Sequence, residues 1–350
     1  MKLATLLPRG DDPRAAARLA RSYEEVGVDV LGVGEAYTFD AVSWLGYLAA
    51  VTERAELMAQ ILPIYARTPA STAMAAAGLD HASGGRFILG LGTSGPQVVE
   101  GWHGVPFDAP LGRTREVIEI CRAIWRREPL DHQGAHYQLP LSVAAPSAGG
   151  AATGLGKPLR LINHPVRPDI PVFVAALGTA NVELTATMAD GWIPMLYVPE
   201  RAGLAWGDAL ARGRATRDPS LGPLQIVAGG PFAIGAGVTH LRDRDRDHLA
   251  LYVGGMGAKG RNFYNTVVSR YGFEKEAFEV QELYLAGHRE QAAARLPAKL
   301  LEETSLIGDE GYIRDRLEAF RDQGVTMLQV DPVGGDPLGD LRRLRAILDR

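Results

Sequence analysis

Cysteine is almost absent: Cys121 is the only one in 350 residues. A lone thiol excludes internal disulfides, cysteine-rich zinc sites and CxxC redox chemistry. It sits at helical spacing within Arg115–Trp125, which reads as a buried, inert thiol rather than a nucleophile. Charge of one sign is missing as well. Lys and Arg number 37 against 41 Asp and Glu, a formal net charge of -4. There is thus no general basic field, and nucleic acid is not an expected partner. No apolar run approaches the ~20 residues that span a bilayer, so no membrane segment is expected. The opening Met1–Pro8 is too short for a signal h-region and reads as a first strand, with the cytoplasm as the expected location. HExxH, GxSxG and GxxxxGK[ST] are also lacking, which leaves metalloprotease, nucleophile-elbow and P-loop chemistry without support. His132 and His136 stand four apart, but Gly134 between them points to a hairpin, and no metal site is expected.

What the chain does have is a repeated unit. A helix, a glycine, a short polar step and a hydrophobic strand recur at Glu24–Val33, Ala189–Leu196 and Asp322–Val330, and more loosely at Ser83–Leu89. The glycine can take the left-handed conformation that ends a helix before a parallel strand. Asp12-Pro13 and Thr68-Pro69 put a capping side chain before a proline at the first helical position. These marks predict strands at 2–8, 29–34, 56–62, 86–91, 171–176, 192–196, 224–230 and 326–331. Helices are predicted at about 13–26, 40–52, 69–83, 112–127, 179–189, 200–215, 310–323 and 337–349. Eight alternating units imply an α/β fold, a (β/α)8 TIM barrel over residues 1–350 as one domain; a doubly wound sheet is the alternative. Two stretches break the alternation and read as insertions, at about 129–170 and 235–305. The first holds a hairpin around Gly134 and a small-residue loop, 144–154, expected to be mobile; the second reads as mainly helical. The alternating Arg242–Asp247 run reads as a solvated face.

One motif invites a different reading. "GLGTSG", residues 90–95, fits the dinucleotide fingerprint G-x-G-x-x-G after the apolar run Arg86–Leu89. With 41 glycines in the chain, about half a match is expected by chance, and 255–260 supplies a second. The context fails too. Three strand–helix units come first, and the acids at the right distance, Glu116 and Glu119, lie on a helix and read as solvated or ion-paired. The motif is therefore read as the turn after barrel strand four.

Strand ends are more informative. Glu35-Ala36-Tyr37-Thr38-Phe39-Asp40 closes strand two and Gln60-Ile61-Leu62-Pro63-Ile64-Tyr65-Ala66-Arg67 closes strand three, placing carboxylates, tyrosines and an arginine at the barrel mouth. Together with "EAYTFDAVSWLGYLAA", "ILPIYARTPASTAMAAAGLDHASGGRFILGLGTSGPQVVEGWHGVPFDAPLGRTREVIEICR", "GLGKPLRLINHPVR" and "LALYVGGMGAKGRNFYN", they make the chain resemble the luciferase-like superfamily, in particular its actinobacterial coenzyme F420-dependent oxidoreductases. The resemblance implies a deazaflavin ring in the barrel mouth over a non-prolyl cis peptide, which maps to Gln60-Ile61, although relatives usually carry a small residue where Gln60 stands. Glu35-Ala36 stands where distant relatives carry Asp-His; Ala36 cannot donate a proton, so that role passes to Glu35, Tyr37 or His103. Leu62, Arg67, Gly92, Thr93, Ser94, Gly95, Ala176, Leu177, Gly178 and Met195 fall at cofactor-contacting positions, with Lys259 and Arg261 placed to meet its phosphate or anionic tail.

The implied activity is hydride transfer between carbon C5 of F420 and a small organic substrate, which the sequence does not name. An FMN-dependent monooxygenase, or a non-catalytic flavin-binding homologue, is the alternative. A homodimer is expected, on exposed apolar helix faces.

Overall fold

In a computed structural model, described for all residues except 9, 11 and 143–151, eight parallel strands alternate with eight principal helices. The strands are β1 (Lys2–Leu6), β2 (Val30–Val33), β3 (Glu56–Ala59), β4 (Phe87–Gly92), β5 (Val172–Ala175), β6 (Gly191–Ile193), β7 (Gln225–Ile234) and β8 (Met327–Pro332). The helices are α1 (Pro13–Glu25), α2 (Ala41–Val51), α3 (Pro69–Ala82), α4 (Pro110–Trp125), α5 (Thr179–Met188), α6 (Pro199–Ala215), α7 (Glu310–Asp322) and α8 (Pro337–Leu348). This is the predicted (β/α)8 succession, with every strand found where the hydrophobic runs put it.

The chain forms two compact units, one of Met1–Gly32 with Ala175–Arg350 and one of Val33–Val174. In the first, β1 pairs with β8 (Lys2↔Met327) and β2 (Ala4↔Val30), and β7 pairs with β8 (Val227↔Met327) and β6 (Gln225↔Gly191), all parallel. In the second, β4 pairs with β3 (Leu57↔Phe87) and β5 (Leu89↔Val172), also parallel. All six residues of β4 are buried, as a strand covered on both faces requires. The local signals act as read. Asp12 accepts the Arg14 amide at 2.8 Å and Thr68 the Ser71 amide at 3.2 Å, each ahead of a helix-opening proline. Gly27 and Gly324 take φ +89° and +75° just past α1 and α7. Gly191 does not need to; α5 ends instead on an extended Ala189 and the glycine enters β6.

Between β7 and α7 the chain is mainly helical, as predicted, and it returns through a short strand, Leu306–Gly308, that pairs with the end of β7 (Phe232↔Leu306). The Arg242–Asp247 run is not simply a solvated face. Arg242 donates to the Ile307 carbonyl, Arg244 to Val333, and Arg246 to Ala293 and Leu296, so three arginines pin separate backbone segments. The hairpin is present as His132–Gln133 against Gln138–Leu139. Most of the loop expected at 144–154 lies outside the described residues. Cys121 is fully buried against the Pro69 carbonyl, and burial pushes its thiol up to about 12, the inert thiol expected.

Candidate active site

The Val33–Val174 unit gathers the C-terminal ends of β3 and β4 and the turn after β2. Beyond β3 the Gln60–Ile61 peptide is cis, as the resemblance implies, and the Gln60 amide donates to the Val33 carbonyl at 2.7 Å. Leu62–Pro63 then pairs with Leu91–Gly92 of β4. This arrangement explains the first glycine of "GLGTSG". A Cβ at Gly90 would lie 1.9 Å from the Ala59 carbonyl oxygen, so only glycine lets β4 pass the end of β3. The rest of the motif is a turn. Gly92 ends β4, Ser94 is exposed at φ +56°, and Gly95 precedes a single short helix, Pro96–Gly101. Neither the strand count before it nor the helix after it matches a dinucleotide fold.

The turn after β2 is held by charge. Glu35 accepts both guanidinium nitrogens of Arg67, at 2.6 and 2.9 Å, and the Ala41 amide at 2.9 Å. Its side chain is 7% exposed and that of Arg67 18%. Arg67 also pairs with Asp40, whose carboxylate caps α2 by accepting the Ser43 amide (2.7 Å) and hydroxyl (2.8 Å). Burial raises the Asp40 carboxyl, but the Ser43 donors and the Arg67 guanidinium outweigh it and hold the group below its ordinary value. The Glu35 hydrogen bond, ahead of the opposing effect of burial, raises Arg67 further. Two carboxylates and one guanidinium thus form a closed, mutually satisfied set.

Around it stand aromatic rings. Tyr37, Phe39 and Trp102 are all exposed, and the rings of Tyr37 and Trp102 lie 6.4 Å apart at 54°. Next in the chain, the His103 Nε2 is buried without a hydrogen-bond partner among the described residues. Tyr65 donates to the Asp108 carbonyl at 2.6 Å and lies 5.4 Å from the Phe107 ring, fixing the 102–109 segment; burial pushes its hydroxyl up to about 12.

Sequence reasoning missed one part of this region. Glu116 is neither solvated nor ion-paired in the ordinary way; it is buried and accepts the amides of Ala135 (3.0 Å), His136 (3.1 Å) and Tyr137 (2.8 Å), with the His132 Nε2 at 3.3 Å. Gly112 makes room, since a Cβ there would meet the His136 ring at 2.2 Å. The hairpin therefore turns back along α4 to its first turns. There Arg113 lies between Tyr65 and Tyr137, 5.9 and 5.4 Å from their ring centroids. The available signal was the hairpin's histidines and tyrosine following a helix with an acid in its second turn. Among the described residues no group of His, Cys, Asp and Glu could hold a metal ion.

The remaining candidates belong to the Met1–Gly32/Ala175–Arg350 unit. The Ala176 and Leu177 carbonyls each accept an indole N–H, from Trp192 (2.9 Å) and Trp206 (2.8 Å), and Gly178 precedes α5 with the Phe263 ring packed where a Cβ would stand. Met195 follows β6. Lys259 pairs with Glu282 at 2.6 Å and lies over the Phe278 ring, while Arg261 is exposed.

Comparison with known proteins accounts for this architecture. A protein of Mycobacterium tuberculosis named as a coenzyme F420-dependent oxidoreductase is 40% identical over 336 residues, covering 95% of this chain and 94% of that one. Among solved structures, the coenzyme F420-dependent tetrahydromethanopterin reductase of Methanopyrus kandleri superposes with a TM-score of 0.77 at 21% identity, covering 97% of this chain and 96% of that one. An F420-dependent secondary alcohol dehydrogenase, in complex with an F420-acetone adduct, gives 0.69 at 16%, covering 99% and 98%. The luciferase-like monooxygenase profile matches residues 2–327. With the profile spanning nearly the whole chain, the chain belongs to the luciferase-like monooxygenase family.

Proposed function

We propose that the protein is an F420-dependent oxidoreductase that transfers a hydride between the deazaflavin C5 and a small organic substrate. The observation that carries this reading is the strand-end surface of Gln60-Ile61-Leu62 and Gly92-Thr93-Ser94-Gly95. Its residues after β4 are small, β4 can approach β3 only because Gly90 lacks a Cβ, and the neighbouring charges of Glu35 and Arg67 already satisfy each other. Such a surface suits a flat, largely uncharged ring lying against backbone. These residues, with Ala36 beside them, are assigned to the ring, and Ala176-Leu177-Gly178 and Met195 to the cofactor's further contacts. Lys259 and Arg261 are assigned to its anionic portion.

When bound, F420 supplies a two-electron hydride chemistry at C5. The chain's own residues do the rest. Glu35 is a positioning residue, because three donors occupy its oxygens: it holds Arg67 and the turn that carries Tyr37. A proton at the substrate's oxygen is assigned to the exposed Tyr37 hydroxyl rather than to the His103 Nε2, which is buried. The exposed 102–109 segment, tied down through Tyr65, keeps water from the reacting carbon once a substrate lies over it.

Titrating the purified protein with F420 and, separately, with FMN while following cofactor fluorescence tests the reading. Quenching by F420 alone is expected. Tight FMN binding without F420 binding would replace it by the monooxygenase reading, and binding with no turnover over a panel of carbonyl compounds by a non-catalytic role.

We further propose a homodimer. Helix α2 carries no charged residue yet exposes Tyr47, and neighbouring α3 exposes Met74, an uncharged two-helix face. Sedimentation should give a dimer that Met74→Lys weakens.

A further inference from the structure

We propose that Tyr37, Phe39 and Trp102 form the seat of the substrate, and that this substrate is an uncharged, apolar carbonyl compound or its alcohol rather than a phosphorylated or carboxylated metabolite. The assignment of a reaction rests on the F420 reading above; the binding surface does not.

The rings come from two separate segments, the turn after β2 and the segment after Pro96–Gly101, yet Tyr37 and Trp102 meet at 6.4 Å. Their exposures are large, 68% for Tyr37, 60% for Phe39 and 66% for Trp102. Aromatic side chains bury most of their area in ordinary packing, so the paired open rings of Tyr37 and Trp102, with open Phe39 two residues on from Tyr37, mark a surface that receives an apolar partner. The charges beside them sharpen the chemistry. Arg67 is paired with both Glu35 and Asp40. Glu100 accepts the Phe107 amide at 3.2 Å. A phosphate or carboxylate lying on the rings would meet the Arg67 guanidinium only by breaking pairs that already satisfy it, and would lose its hydration in doing so. A neutral carbonyl or hydroxyl has a better fit. Its hydrocarbon portion covers the rings, and its one oxygen needs a single hydrogen-bond partner, which the exposed Tyr37 hydroxyl can supply.

The test uses acetophenone and its charged analogue 4-acetylbenzoate on the full chain, by saturation-transfer NMR and titration calorimetry, with and without F420. Acetophenone is expected to bind about tenfold more tightly than 4-acetylbenzoate, and Tyr37→Ala and Trp102→Ala each to weaken acetophenone about three- to tenfold, the loss of one aromatic contact. Because both side chains are exposed, the melting temperature should not move, and F420 affinity should be unchanged. Equal or tighter binding of 4-acetylbenzoate overturns the charge argument. If Trp102→Ala weakens F420 and leaves acetophenone unaffected, the rings belong to the cofactor and the proposal fails. If it turns a dimer into monomers in sedimentation without affecting acetophenone, they belong to a subunit interface and it fails equally. A wild-type protein that binds acetophenone on these rings but not F420 defeats the reaction assignment alone.

Discussion

Two carboxylates of the Val33–Val174 unit, Glu35 and Glu116, are buried to nearly the same degree, with side chains 7% and 9% exposed. They are stabilised by different means. Glu35 is answered by a guanidinium fork and one amide, Glu116 by three amides of a hairpin and one imidazole. A guanidinium cancels charge, and its loss strands the partner; a set of amides spreads the negative charge over backbone dipoles, and its loss frees a loop. The contrast teaches that the turn carrying Tyr37 depends on a single side chain, Arg67, whereas the hairpin depends on its own backbone finding one acceptor.

Arg67→Ala strikes the first arrangement hardest. Removing one partner of a buried pair costs about 3–5 kcal/mol when the other charge stays behind. Glu35 would retain only the Ala41 amide. Urea unfolding should report a loss of that order, and the double variant Arg67→Ala/Glu35→Gln should recover much of it. If the double variant is as unstable as the single, the guanidinium contributes through packing and the comparison with Glu116 loses its basis.

Glu116→Ala attacks the second arrangement with a smaller effect. Three amides lose their acceptor, but they sit at a hairpin tip that can move out to water, so about 1–3 kcal/mol is expected rather than the sum of three unmet donors. The diagnostic result is local: hydrogen exchange at 132–139 should rise while that of β3 and β4 does not. Global loss without local exchange would mean the hairpin is integral to the barrel.

The same carboxylate gives the pH dependence. Burial raises the Glu116 carboxyl, but the Tyr137 and His136 amides and His132 outweigh it and hold it below 4.5. A depressed folded value contributes stability that is fully present above 4.5 and is lost as pH falls below 4.5 through the folded value. Hairpin exchange should therefore rise on acidification below about pH 4.5, and Glu116→Gln should flatten that rise. Asp40 carries a parallel term below 3.8, seen at the start of α2 instead.

How far the sequence revealed this depends on where the information sits. All eight strands and eight helices follow from hydrophobic runs bounded by Gly27, Thr68-Pro69 and Gly324, because those signals act over one or two turns of chain. The three-residue strand Leu306–Gly308 carries no pattern of its own and exists through pairing with β7. Among site residues, the ends of β2, β3 and β4 announce themselves through strand position and resemblance. Glu116 does not: an acid on an amphipathic helix reads as solvated unless one knows that a hairpin twenty residues later folds back over it. Nor could spacing disclose that Arg67 joins Glu35, 32 residues away, to Asp40.

Arg113→Ala completes the series at the point where the two regions approach each other. Arg113 lies between Tyr65, which holds the 102–109 segment, and Tyr137, which belongs to the hairpin. Its ion pair with Asp108 is half open to water, the Asp108 side chain being 54% exposed, so that pair contributes little. What remains is the cation between two rings, about 0.5–1 kcal/mol per contact. The expected loss is correspondingly small, and its pattern is what matters. Tyr65 keeps its bond to the Asp108 carbonyl, so the mouth segment should stay protected, and Glu116 still holds the hairpin amides, so exchange at 132–139 should rise only slightly. Arg113→Lys should restore part of it, since an ammonium can occupy one ring face but cannot span two with a planar group. If Arg113→Ala instead exposes the hairpin as fully as Glu116→Ala does, the stacked guanidinium, and not the carboxylate, is what keeps the hairpin against α4.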